Sequence, residues 1–279
     1  MKYSGIGGQA VIEGIMMMKG EDYAVAVRRP DKEIEVKKDT YQSITKKAKI
    51  LQLPFVRGVF RFADSMIIGM RSLSYSASFF EDDEDAEPGK FEQLLDRVFG
   101  EKLESAIMAA VLVISFILAI GIFMLLPLGI ANLFKGVITS DHLMAVLEGV
   151  IRIAIFIIYI KLVSRMEDIR RTFMYHGAEH KCINCVEHGH PLTVKYVRES
   201  SKEHKRCGTS FILIVMVISI LMFMVIRVDT IWMRILSRII LVPVIAGISY
   251  EVLQCAGRSN SKFMDLVSRP GMWMQGLTT

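Results

Sequence analysis

The chain is 279 residues long, 52% of them hydrophobic, and carries 34 Lys and Arg against 29 Asp and Glu, a formal net charge of +5. Such an apolar share is too high for an ordinary soluble protein and gathers into long uncharged runs, so the composition points to a membrane protein. A mild basic excess of this kind suits anionic lipid and gives no basis for specific DNA binding.

The opening "MKYSGIGGQAVIEG" lacks the uninterrupted apolar core of a secretory signal, so neither cleavage nor export is expected. In "EDYAVAVRRPDKEIEVKKD" two alternating β-rich stretches flank the turn signal Pro30-Asp31 and predict a hairpin whose exposed face is basic. From Pro54, "LPFVRGVFRFADSMIIGMRSLSYSASFF" has helical character. Arg57, Arg61 and Arg71 set it in the membrane surface or beneath the bundle instead of across the bilayer. Residues 81–87, "EDDEDAE", hold six acids in seven positions and, with Pro88-Gly89, read as a solvated linker. The amphipathic "FEQLLDRVFGEKLES" then leads into the first membrane helix.

Residues 106–131 and 209–226 contain no charge, and each is near the roughly 20 residues that a spanning helix needs. Two further runs, 147–164 and 235–253, hold charges mostly near their ends, where Arg152, Lys161 and Arg238 can snorkel toward head groups. The predicted fold class is therefore mainly α: a four-helix polytopic membrane protein with a small N-terminal, β-hairpin-containing cytoplasmic module and a histidine-rich cytoplasmic loop. The expected division is a module at 1–80, a linker and lead-in at 81–102, and a transmembrane domain at 103–279 with the metal-site loop at 165–208.

Basic residues resist translocation and so set the orientation. Residues 1–102 carry sixteen Lys and Arg and residues 161–206 carry ten, whereas the stretch joining the first two spans has only Lys135. Both basic regions are expected in the cytoplasm, and an even number of crossings returns the C-terminus to that side of the cell membrane. Cysteines there stay reduced, so Cys182, Cys185 and Cys207 read as metal ligands, redox thiols or bystanders.

The stretch "YHGAEHKCINCVEHGH", residues 175–190, concentrates four of the six histidines and two of the four cysteines. His176, Glu179 and His180 form H-x-x-E-H, the arrangement of inverzincin peptidases. On a helix, positions four apart share a face, so both imidazoles reach one ion while Glu179 polarises a bound water. Further ligands come from His204 and Cys207 in "HKRCG", from Cys182 and Cys185, or from Glu251. Cys182, Cys185, His204 and Cys207 together have near zinc-ribbon spacing and would make a closed structural site. His176, His180 and one further ligand would leave a position open for water. A helix continuing from the second span through "MEDIRRTFMYHGAEHK" would carry the pentad to the bilayer surface. The tripeptide Gly7-Gly8-Gln9, which release factors use, is too short to carry information and reads as a turn permitting close backbone approach.

Together, "GIGGQAVIEGIMMM", "YHGAEHK", "HKRCGTSF", "GISYE" and "QGLTT" resemble the YqhQ-like family of uncharacterised bacterial multipass membrane proteins, predicted to be metal-dependent. The resemblance spans nearly the whole chain. Its pattern includes the counterparts of His176, Glu179, His180, His204, Arg206, Cys207, Gly208, Tyr250 and Glu251 but not Cys182 or Cys185. It therefore implies a site built from His176, His180 and one of His204, Cys207 or Glu251.

The leading expectation is a cytoplasm-facing, zinc-dependent hydrolase at the bilayer surface, with Zn2+ or another divalent transition metal as cofactor. Glu179 serves as general base and Arg206 stabilises a developing oxyanion. The alternative is a non-catalytic membrane-protein biogenesis or scaffold factor beside the translocon or a ribosome. Membrane lipids are the expected partners, with homo-oligomers open.

Overall fold

A computed structural model of the protein describes residues 3–80, 103–226, 230–259 and 261–279. The acidic stretch 81–87 and the lead-in to residue 102 lie outside the described residues. In chain order the elements are strands β1 (Ile6–Val11), β2 (Gly14–Lys19), β3 (Asp22–Arg28) and β4 (Ile34–Thr40), then helix α1 (Val56–Ala77). The helices α2 (Leu103–Ile120), α3 (Leu126–Asn132), α4 (Asp141–Val163), α5 (Glu167–Glu187) and α6 (Val194–Glu199) follow. Last come α7 (Gly208–Val225), α8 (Ile231–Arg258) and α9 (Lys262–Gln275). The chain falls into two compact units, one of Met1–Phe80 with Ile157–Thr279, the other of Glu81–Phe156.

In the first unit the four strands form an antiparallel meander, β1-β2-β3-β4. The expected hairpin is its β3–β4 half. There the Arg29 N–H donates to Glu33 O at 2.9 Å and the Asp31 carboxylate receives the Glu33 N–H at 3.0 Å. The sequence reading did not find β1 and β2, because three glycines and three methionines dilute the β-branched residues Ile6, Val11 and Ile15 and break the alternation that marks a strand. They form because Val11 and Met16 join Tyr23, Val25 and Val27 of β3 in one core, closed by Ile67, Ile68 and Tyr75 of α1. About α1 the buried positions are mostly small or polar, Gly58, Asp64, Gly69, Ser72 and Ser76. Asp64 accepts the Tyr41 hydroxyl and the Ile44 N–H, both at 2.9 Å, tying the segment after β4 to the helix.

Four helical stretches are long and apolar enough to cross a membrane: Val113–Asn132, Asp141–Val163, Gly208–Val225 and Ile239–Arg258. No more than 28% of any of them is buried. Phe116, Ile117, Ile158, Leu221 and Ile240 instead point outward. Apolar helices with uncovered apolar flanks are stable only in lipid, so the chain is a membrane protein. The first span is not uniform. Pro127 has no N–H to give the carbonyl four residues back, and a wide π turn at Gly121–Leu125 reroutes the Leu126 N–H to Gly121 O. In the same unit Glu148 and Arg152, buried and one turn apart, pair at 2.6 Å.

Residues 165–208 are mostly helical, in α5 and α6, and α5 is not a continuation of the second span. The chain leaves α4 at Val163, turns, and re-enters helix after Met166, whose extended backbone caps α5 ahead of Glu167 and Asp168. Acids in a first turn favour helix initiation at that point.

Candidate metal centre

On α5, His176 and His180 share a face with ring centroids 4.3 Å apart. Cys207 reaches them from the N-cap of α7, where its sulfur accepts the Thr209 N–H at 3.3 Å and lies 3.2 Å from His176 Nε2. Donor atoms of the three residues all fall within 4.8 Å of one another. A tetrahedral zinc with bonds of about 2.0–2.3 Å holds its donors about 3.3–3.7 Å apart, so small side-chain rotations would close the set on an ion.

Protonation of the two rings is decided by backbone. His176 Nδ1 lies 2.8 Å from Thr278 O and His180 Nδ1 lies 2.6 Å from Lys202 O. A carbonyl oxygen only accepts, so each Nδ1 carries a proton, and in the neutral ring the lone pair is then on Nε2. The loop bearing Cys207 is itself clamped. Asn184 donates to Ser201 O and Glu203 O at 2.7 and 2.9 Å. On the other side the Gln275 amide receives the His204 N–H and donates to His204 O, both at 2.8 Å.

Glu179 is 3% exposed and faces β1, with Oε2 at 3.6 Å from His180 Nε2. A Cβ on Gly8 would sit 2.3 Å from Glu179 Oε1, so the glycine makes room for the carboxylate. The expectation of a turn approached by another backbone is corrected here: Gly8 is in a strand, and what approaches it is the Glu179 carboxylate. Burial pushes the Glu179 carboxyl up to about 7, against a lowering pull from His176.

His204 and Arg206 belong to a neighbouring network centred on buried Glu187. Its carboxylate accepts the Ser4 N–H at 3.0 Å, the Ser4 hydroxyl at 2.8 Å and Arg206 Nη2 at 2.5 Å, with His204 Nε2 at 3.5 Å. Burial alone would raise the Glu187 carboxyl, but Ser4 and Arg206 outweigh it and hold it at about 2. Burial and the Arg206 charge keep His204 down at about 4, so its ring is neutral. Arg206 also stacks on Tyr3, 4.4 Å from the ring centroid. The His204 ring is 5.8 Å from that of His180, a neighbour of the three-donor group outside it.

Glu251 stands elsewhere. It takes two hydrogen bonds from Arg57, at 2.7 and 2.5 Å, and one from the Phe55 N–H at 3.3 Å, which joins α8 to the start of α1. Cys185 is buried with its thiol donated to Pro191 O at 3.4 Å, and the zinc-ribbon set is not gathered. Among the described residues, His176, His180 and Cys207 are the group of three potential donors that the fold assembles. Sequence reasoning missed the Thr278 and Lys202 carbonyls and the roles of Gly8, Ser4, Glu187 and Gln275. Backbone groups carry no side-chain signal; the opening and closing motifs, "GIGGQ" and "QGLTT", were the available hint.

A family model described as "Protein of unknown function (DUF1385)" matches residues 53–279. The chain belongs to this family. Over 274 residues it is 33% identical to "Uncharacterized protein YqhQ" of Bacillus subtilis (strain 168), an alignment covering 98% of this chain and 86% of the relative. No solved structure matches. The resemblance to YqhQ-like proteins is thereby confirmed, and neither description assigns an activity or a metal. The DUF1385 match contains all three potential donors and both carbonyls that orient the histidines, whereas Ser4 and Gly8 precede it.

Proposed function

We propose that this DUF1385 membrane protein is a zinc-dependent hydrolase working at the cytoplasmic face of the bilayer, with His176, His180 and Cys207 as the ligands of one ion. The observation that carries the reading is the pair of Nδ1–carbonyl hydrogen bonds, which leaves Nε2 of each ring for a ligand role, that of His176 3.2 Å from the Cys207 sulfur. Metal-binding histidines are oriented in this way by partners at their other ring nitrogen, and a two-imidazole, one-thiolate set suits zinc. Such a set leaves a fourth position, and zinc held there would supply a polarised water. Glu179, whose Oε2 lies 3.6 Å from His180 Nε2, would be the residue to accept a proton there. Arg206 is engaged by Glu187 and stacked on Tyr3, so it acts as a positioning residue that holds the Cys207 loop, and its oxyanion role is secondary. His204 supports the same loop. Substrates are peptides or lipid-linked molecules reaching the head-group layer.

Metal analysis of the purified protein should find about one zinc per chain, and the His176→Ala/His180→Ala double variant should lose it. Glu179→Gln should keep the zinc and lower hydrolysis by about 10²–10⁴-fold. A wild-type protein purified without zinc would overturn the reading. Zinc retained together with full cellular function in Glu179→Gln would turn the ion into a structural brace and favour the scaffold alternative.

A further inference from the structure

Two helices outside the four spans carry large apolar side chains on their exposed sides as well as in their packed faces. On α1 the exposed residues include Phe62, Met66, Met70 and Leu73, a stripe at helical spacing, while Asp64, Ser72 and Ser76 face inward. On α9 the exposed large apolar residues are Phe263, Leu266 and Trp273, again along one stripe, while Ser268, Met274 and Gln275 are buried. A helix on a water-facing surface shows the reverse arrangement.

Both helices are fastened to the last two spans, α9 at the first turn of α7 and α1 from that turn to the middle of the α8 span. A Cβ on Gly58 of α1 would lie 3.0 Å from the Gly247 Cα of α8, and Phe62 packs on Phe211 in the first turn of α7 with ring centroids 5.6 Å apart. Gly271 of α9 lies so close to Ser210 that a Cβ would approach its hydroxyl to 2.6 Å. The exposed stripes thus run into the uncovered apolar flanks of the spans. Ile212 of α7 is exposed beside Phe211, and Phe55, just ahead of α1, lines an apolar groove with Val59 and Phe60 of α1 and Pro243 and Val244 of α8. Arg61 and Arg71 on α1, and Lys262 and Arg269 on α9, are exposed where their stems can carry the charge to head-group phosphates.

We infer that α1 and α9 lie half-immersed in one leaflet, forming a collar against α7 and α8, and that bilayer lipid is what covers both exposed stripes. Continuity with the lipid-facing spans selects lipid over another protein, and the outward Trp273 is the residue type that anchors at such an interface. The collar sets the level of the site. Glu251, paired with Arg57 of the collar, is six residues from Gly257, against which the Arg206 stem rests, about 9 Å of helix. The His/Cys cluster therefore stands in the head-group layer.

The test reads depth in the full-length protein reconstituted into phosphatidylcholine/phosphatidylglycerol vesicles. Trp232→Phe leaves Trp273 as the sole tryptophan, and Met66→Trp in a Trp232→Phe/Trp273→Phe background reports on α1. Both should be quenched most by a lipid spin label near the top of the acyl chain, less by one at the chain end and least by aqueous iodide. That pattern places them about 5–10 Å below the head-group boundary. Quenching mainly by iodide would overturn the collar, and protection from both lipid and aqueous quenchers would show a second copy or another protein on the stripe. Zinc content is a separate readout, so the collar and the metal reading fail independently.

Discussion

Thr278 and Lys202 contribute backbone oxygens, not side chains, yet they occupy Nδ1 of His176 and of His180 and so leave Nε2 as the available nitrogen of each. Glu187 does comparable work for the loop, since its carboxylate joins Ser4 near the N-terminus to Arg206, next to Cys207. Removing one partner of a buried charge pair leaves the other uncompensated, so Glu187→Ala should cost about 3–5 kcal/mol of stability near neutral pH. The pH dependence follows from the direction of the shift. A carboxyl held at about 2 in the fold, against an ordinary 4.5, contributes stability that is complete above 4.5 and declines as pH falls toward 2. Thermal unfolding in detergent from pH 7 to pH 3 should show this acid slope in the wild type and its loss in Glu187→Gln. An unchanged slope would mean that Glu187 is not the group responsible.

Helices and strands were legible in proportion to how much of their stabilisation is local. Uninterrupted apolar runs announced the spans, because lipid burial needs only length and composition. Alternation announced β3 and β4. By contrast β1 and β2 depend on partners, and the break between α4 and α5 depends on a capping geometry that the apolar-to-charged transition at residues 164–168 only partly signals. Packing between α1 and α8 belongs to the same class, since it requires Gly247 to let the Phe55 carbonyl approach to within 2.4 Å of where a Cβ would be. Gly247→Leu should therefore push α1 off α8, cost about 1–3 kcal/mol and expose the segment around Phe55 to protease. Wild-type melting and protease resistance in that variant would show that the joint is not needed to hold α1.

At the scale of the whole molecule, four spans and the asymmetry of basic residues lead to an expected orientation with both termini in the cytoplasm. A fluorescent-protein fusion at the C-terminus should glow and one inserted near Gly136 should not, with periplasmic-type reporters giving the opposite pattern. A fluorescent insertion near Gly136 would reverse the assignment and move the His/Cys cluster to the other face. The sequence by itself determined that this is a membrane protein of the YqhQ-like kind, and that two imidazoles one turn apart share a helix face, because hydropathy and helical periodicity are properties of contiguous residues. Only the tertiary structure brings Cys207, and neither His204 nor Glu251, into one group of potential donors with both imidazoles, gives the side-chain space of Gly8 to Glu179, and leaves large apolar residues exposed on α1 and α9. Each of those outcomes depends on which distant backbone or charge occupies the neighbouring space: Thr278 behind His176, Arg57 around Glu251, Arg206 and Glu187 beside His204. Spacing along the chain does not record such competition between partners.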